Sequence, residues 1–188
     1  MEKTAGSGDR LIEQYALSMR AIFGTQEGDY SPEEQLFMLM EAIRKTVPRF
    51  DLEEINRHLY SLDEMRVINQ IAIAYSKFGD HEKVADIYSQ LLKYAENHYQ
   101  QIVQSAGHLP LITSNYAIEL GLCKRYEKAI EIAERGRQAC LKYGHYSLLP
   151  NLIHIQAECY YRLADMKQSR LLYQRAYHIY CAIEDNHN

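Results

Sequence analysis

Apolar residues along this chain recur three and four positions apart, the spacing of one helix face, and no clear run alternates with period two. The spacing predicts a first helix from Asp9 to Phe23, ended by Gly24. A second opens at Ser31-Pro32-Glu33-Glu34, where the serine hydroxyl can cap and Glu34 can answer it; it carries Leu36, Phe37, Leu39, Met40 and Ile43 and stops near Pro48. Asp51 can cap a third helix carrying Leu52, Ile55, Leu59 and Tyr60. Ser61-Leu62-Asp63-Glu64 repeats the capping pattern ahead of the next. Residues 1–8, with Gly6-Ser7-Gly8, read as a linker.

From Met65 the pattern becomes a repeat. Ile68, Ile71, Ala72 and Tyr75 share one helix face, Gly79-Asp80 makes a turn, and Val84, Ile87, Tyr88, Leu91 and Leu92 share the face of a second helix. Two helices joined by so short a turn form an αα-hairpin, and neither can bury its apolar face alone. The plan returns with Tyr116, Ala117 and Leu120 before Lys124-Arg125, and Ala129, Ile130, Ala133 and Gly136 after it. It returns again with Ile153, Ala157 and Tyr160 before Ala164-Asp165, and Leu172, Tyr173 and Ala176 after it. The expected organisation is one helical domain over residues 9–188, with hairpins near 31–62, 65–106, 109–143 and 147–184. The equivalent turn positions Asp80, Arg125 and Asp165 are 45 and 40 residues apart. That exceeds the tetratricopeptide (TPR) period of roughly 34, which implies long second helices. The one opening near His81 meets no breaker before Gly107, which gives about 26 residues and roughly 39 Å.

The segment Met65–Glu96 resembles the TPR motif at its marker positions: Ile68, Ile71, Ala72 and Tyr75 in the first helix, Gly79 in the turn, and Val84, Tyr88 and Leu91 in the second. In the later units Lys124 and Ala164 stand where the turn glycine belongs. The resemblance implies an all-α fold, an α-α superhelix of TPR type. A narrower resemblance runs from Tyr30 onward through SPEEQLFMLMEAIRKTVPRFDLEEINRHLYSLDE into INQIAIAYSKFGDHEKVADIYSQLLKY. It is similar to the C-terminal sensor region of regulators with an N-terminal helix-turn-helix of the phage-repressor (XRE) type, a plan shared by the peptide-pheromone receptors of Gram-positive bacteria (the RRNPP group). That implies a domain that binds a short peptide or protein segment in its concave face, forms a homodimer, and passes the signal to a DNA-binding domain. Residues 1–30 offer no helix-turn-helix, so that domain is expected outside this chain.

In TPR units the non-core positions of the first helix face the ligand. Carried over position by position, the groove candidates are Arg66, Asn69, Ile73 and Ser76, with Lys77, in the first unit. In the second they are Ser114, Asn115 and Ile118, with Leu111 and Leu122; in the third, Asn151, His154, Glu158 and Tyr161, with Arg162. Asparagine suits an extended peptide, because its amide both donates to a C=O and accepts from an N–H. The same three asparagines could equally be solvated surface residues. Ile73 and Ile118 occupy places where the two-carboxylate clamp of chaperone-binding TPRs needs asparagine, which argues against that ligand class.

Composition changes this picture little. Of 188 residues 47% are hydrophobic and 24% charged, enough apolar material for a core and not the balance of a disordered chain. A net charge of −4 argues against direct nucleic-acid contact, which needs a surplus of Lys and Arg. Sixteen tyrosines and no tryptophan leave aromatic anchoring to Tyr and Phe. Tyr75, Tyr88, Tyr116, Tyr160 and Tyr173 fall on packing positions, whereas Tyr94, Tyr99, Tyr143, Tyr146, Tyr161, Tyr177 and Tyr180 are placed for a groove or a dimer face. Cys123, Cys140, Cys159 and Cys181 form no CxxC pair and read as free thiols in a reducing compartment. The polar opening MEKTAGSGDR and the lack of a membrane-length run point to a cytoplasmic protein without a membrane partner. His154 with Glu158, and His178 with Cys181, share helix faces but have no third ligand at motif spacing, so neither metal nor cofactor is expected. No phosphate loop or nucleophile elbow supports an enzyme. The alternative to a sensor domain is a stand-alone scaffold that binds a folded partner.

Overall fold

Local capping chemistry marks where several of the helices begin. The computed structural model describes residues 7–98 and 108–185. Among these, eight α-helices follow in order: α1 (Ser7–Glu27), α2 (Pro32–Thr46), α3 (Leu62–Ser76), α4 (His81–His98), α5 (His108–Leu122), α6 (Tyr126–Tyr143), α7 (Leu149–Arg162) and α8 (Met166–Asp185). Both expected capping boxes form, Ser31 with Glu34 and Ser61 with Glu64. Asp80 and Asp165 accept from the backbone N–H of Lys83 and Gln168, satisfying orphan donors at the starts of α4 and α8. α2 also carries Glu33 and Glu34 in its first turn and Arg44 and Lys45 in its last, which suits the helix dipole.

Two elements differ from the sequence expectation at the N-terminal end. α1 begins at Ser7, so Ser7 and Gly8 stand in its first turn; residues 1–6 lie outside the described part. α1 also runs through Gly24 to Glu27, and Gly28, at φ +86°, makes the stop. Gly24 serves a close approach instead, since a Cβ there would collide with the Tyr30 ring. The segment after Asp51 is a 3₁₀ turn, Leu52–Arg57, broken at Glu54, and not a third α-helix. Asp51 does cap it, but Ser61 must be extended for its own capping box, leaving no room for further helical turns. The long helix expected from His81 to Gly107 is described only to His98.

Contacts divide the chain into two compact units, residues 1–91 and 92–188. In the first, α1 packs on α2 and α2 on α3. Its core holds Leu39, Ile43, Ile55, Ile68, Ile71, Ala72, Val84, Ile87, Tyr88 and Leu91, all essentially without solvent contact. The 3₁₀ turn is tied to α4 through Gln90, whose amide donates to the Leu52 carbonyl at 3.2 Å and accepts from the Ile55 N–H at 3.2 Å. In the second unit α5 packs on α6, α6 on α7 and α7 on α8, and α5 also touches α7. Ile112, Ala117, Leu120, Ala129, Ile132, Ala133, Cys140, Leu152 and Ala157 form this core.

The three turns share one backbone conformation. Gly79, Lys124 and Ala164 have φ of 78°, 60° and 62°, so two non-glycine residues adopt the left-handed state that glycine takes freely. Arg125 and Asp165 then donate back to the Leu120 and Tyr160 carbonyls at 2.8 and 2.9 Å, closing orphan acceptors of α5 and α7. α6 and α8 run to 18 and 20 residues against 15 and 14 for α5 and α7. No described helix is long and apolar enough to cross a membrane.

Candidate functional site

Asn151, His154, Glu158 and Arg162 stand three and four residues apart on α7, so they form one polar row along the helix. The row borders a cavity of about 420 Å³ between α5 and α7. Ala117, Ile118, Gly121 and Leu122 of α5 and Ile155 and Cys159 of α7 give it an apolar lining, and Lys124 and Tyr126 complete its edge. Asn151 donates to the Ser114 hydroxyl at 2.8 Å, which fixes its rotamer. Glu158 accepts from the Tyr173 hydroxyl at 2.6 Å and from Arg162 Nε at 3.1 Å. The Tyr173 bond, reinforced by Arg162, holds the Glu158 carboxyl below its ordinary range. Burial, then the bond to Glu158, pushes the Tyr173 phenol up to about 12.

A second cavity, of about 530 Å³, lies on the other side of Asn151 and His154, between α7 and α8. Tyr173, Tyr177 and Tyr180, at i, i+4 and i+7 on α8, face Pro150 and His154 across it. The His154 ring meets Tyr173 edge-on at 5.2 Å.

The second unit thus brings together Ile118, Asn151, His154 and Glu158 around one cavity, with Ser114 buried behind Asn151. Asn115 is half-buried on α5, and Tyr161 is exposed on α7 but does not line the cavity. The remaining candidates lie on α3, in the first unit. Arg66 is exposed and pairs with Asp63 at 3.0 Å, while Ile73 and Ser76 are half-buried. Asn69 is only 4% exposed and accepts from the Tyr88 hydroxyl at 3.3 Å inside the α3–α4 contact. Tyr94, expected at a groove or a dimer face, is 1% exposed and stacks on His98; Tyr99 lies outside the described residues.

The roles of Lys124, Tyr126 and Ile155 were not read from the sequence. Lys124 and Tyr126 sit in and just after a turn, where repeat patterns assign no ligand position, and Ile155 occupies an apolar place that pattern alone reads as core. All four cysteines are free thiols; burial pushes those of Cys140 and Cys159 up to about 11, so both are neutral near pH 7. Among the described residues no three side chains come together as metal ligands.

Comparison with known proteins bears on the fold and the family. No curated protein matches the chain in sequence. In structure it is similar to Bacillus thuringiensis PlcR solved in complex with the peptide PapR7 and DNA, with a TM-score of 0.60, 19% identity, and 93% of this chain and 66% of that one covered. The apo form of PlcR gives 0.59 at 19% identity, with 94% and 72% covered. A putative kinesin light chain of Podosopora anserina with nearly identical TPR-like repeats gives 0.67 at 12% identity, with 92% and 76% covered. The fold is therefore all-α and of the TPR-like helical-repeat kind. The model of the RNPP family C-terminal domain matches residues 41–186, and by that match over most of its length the chain belongs to the RNPP family.

Proposed function

We propose that this chain is a peptide-binding regulatory domain of a bacterial transcription regulator, and that the peptide lies along the cavity between α5 and α7. The observation that carries the reading is the pairing of an apolar floor (Ile118, Leu122, Ile155) with the polar row Asn151, His154, Glu158 and Arg162. Apolar pockets take side chains, while the Asn151 amide, fixed by Ser114, offers its carbonyl oxygen to a backbone N–H of an extended peptide. Family membership and the likeness to PlcR, solved with a peptide, support the same reading. Within the first unit Arg66, Ile73 and Ser76 on α3 are proposed as ligand-facing positions, and within the second Asn115 and Tyr161 are proposed alongside the cavity. Cytoplasmic location goes with it, and the net charge of −4 leaves DNA contact to another domain.

The homodimer included in this reading has support in α1, which buries Gln14, Ser18 and Ala21 and leaves Leu11, Ile12, Tyr15 and Phe23 exposed. Sedimentation at micromolar concentration tests that part; a monomer at every concentration removes it. Calorimetry against synthetic peptides encoded near the gene tests the main proposal. Saturable binding that Asn151→Ala weakens is the expected result. Capture of a folded partner with no peptide bound by any assay would turn the reading toward a scaffold.

A further inference from the structure

The geometry points to a carboxylate on the ligand: the α5–α7 cavity takes a peptide in which a carboxylate, held by Lys124, stands beside an apolar side chain held by Ile118, Leu122 and Ile155. This inference rests on the peptide-binding reading and specifies what that site selects.

Three charged side chains line the cavity: Lys124, Glu158 and Arg162. Two of them satisfy each other, since Arg162 Nε lies 3.1 Å from Glu158. Glu158 is further engaged by Tyr173, so its two oxygens are both occupied. Lys124 makes no ion pair among the described residues, and the lining therefore carries one surplus positive charge at a known place. That place is one end of the cavity. Lys124 follows the C-terminus of α5, and Arg162 closes α7, so the two cations mark the same end while Asn151 marks the other.

The backbone at this turn has no need of lysine. Gly79 and Ala164 make the equivalent turns of the neighbouring hairpins without a charge, and the left-handed conformation itself favours glycine. Lysine beside an apolar pocket is a point charge that an anion can reach while its neighbouring side chain is desolvated. From Asn151 to Arg162 the row spans roughly 16 Å at 1.5 Å per residue, which is the length of about five extended residues. A peptide laid along it meets Asn151 through its backbone and Lys124 through a carboxylate, either its C-terminus or an Asp or Glu side chain.

Four pools of random pentapeptides, tethered by their N-termini, separate these outcomes: free or amidated C-terminus, each with and without Asp and Glu. The expected result is binding wherever a carboxylate is present, with the acid-free pool of free C-termini reporting the terminal group and the amidated acidic pool reporting side chains. Lys124→Gly removes the charge while keeping the turn, so affinity for the selected peptides should fall about tenfold with the melting temperature unchanged or raised. Ala164→Gly, at the equivalent turn, should leave affinity unchanged. Amidated, acid-free peptides binding as well as the rest, or Lys124→Gly binding them undiminished, would overturn the inference while leaving peptide binding intact. No binding from any pool overturns peptide binding itself.

Discussion

The Asn151 side-chain amide donates to the Ser114 hydroxyl across 2.8 Å, so one polar contact both joins α7 to α5 and sets the rim of the cavity. In the proposed site its carbonyl oxygen would accept from the peptide. Asn151→Ala should weaken peptide binding by about 1–1.5 kcal/mol, the net worth of an ordinary hydrogen bond. Ser114→Ala, which only frees the rotamer, should weaken it less. Equal affinities for wild type and Asn151→Ala by calorimetry would remove the residue from the site.

Asn69 answers to the opposite test. Its side chain is buried and takes the Tyr88 hydroxyl proton, so removing it breaks a buried hydrogen bond between α3 and α4. Asn69→Ala should cost about 1–3 kcal/mol of stability in urea titrations. A variant as stable as wild type, yet weaker for peptide, would return Asn69 to the groove.

Gly136 lies where α5, α6 and α7 meet. A Cβ there would strike Thr113 Oγ1 and come within 2.8 Å of Leu152 Cδ2. Thr113 cannot easily yield, because its single hydroxyl proton is held between the Leu109 and Pro110 carbonyls, at 2.8 and 3.0 Å. Alanine ordinarily gains about 1 kcal/mol over glycine within a helix. Overpacking of about 1–3 kcal/mol should outweigh that gain, so Gly136→Ala should lower the melting temperature.

The Glu158–Tyr173 pair gives a pH signature. The folded-state pKa of Glu158 is lowered, so its contribution is present above the ordinary carboxylate value, about 4.3, and is lost as pH falls through the lowered value. Tyr173→Phe removes the main cause. The Glu158 carboxyl, followed by NMR, should then titrate nearer its ordinary pH, and the acid loss of melting temperature should become shallower. Tyr173, raised to about 12, should ionise later than an ordinary tyrosine in an ultraviolet titration. An unchanged Glu158 titration in Tyr173→Phe would show that the hydrogen bond is not the cause.

The α3–α4 hairpin was legible because its apolar residues, small Ala72 and Gly79 all sit at motif positions, and local pattern suffices for that. Lys124 and Ala164 were legible as turns only by register. The Leu52–Arg57 segment misled, since Leu52, Ile55, Leu59 and Tyr60 fit a helix by spacing. Whether one forms depends on Ser61 needing extended backbone and on Gln90, 38 residues from Leu52, taking its carbonyl. The three asparagines illustrate the same divide. Pattern assigned them one role, yet Asn69 turned inward to Tyr88 while Asn151 stayed at a cavity edge, and Asn115 is half-buried between those extremes.

Helix class, hairpin order and turn positions were determined by the sequence itself, because capping, periodicity and left-handed turns act over a few residues. Tertiary structure alone decided which polar residues meet. Glu158 finds Tyr173 from α8, Asn151 finds Ser114 from α5, and Lys124 reaches the cavity shared with α7. Those juxtapositions depend on how neighbouring helices pack, and packing is set by the side chains of both partners at once.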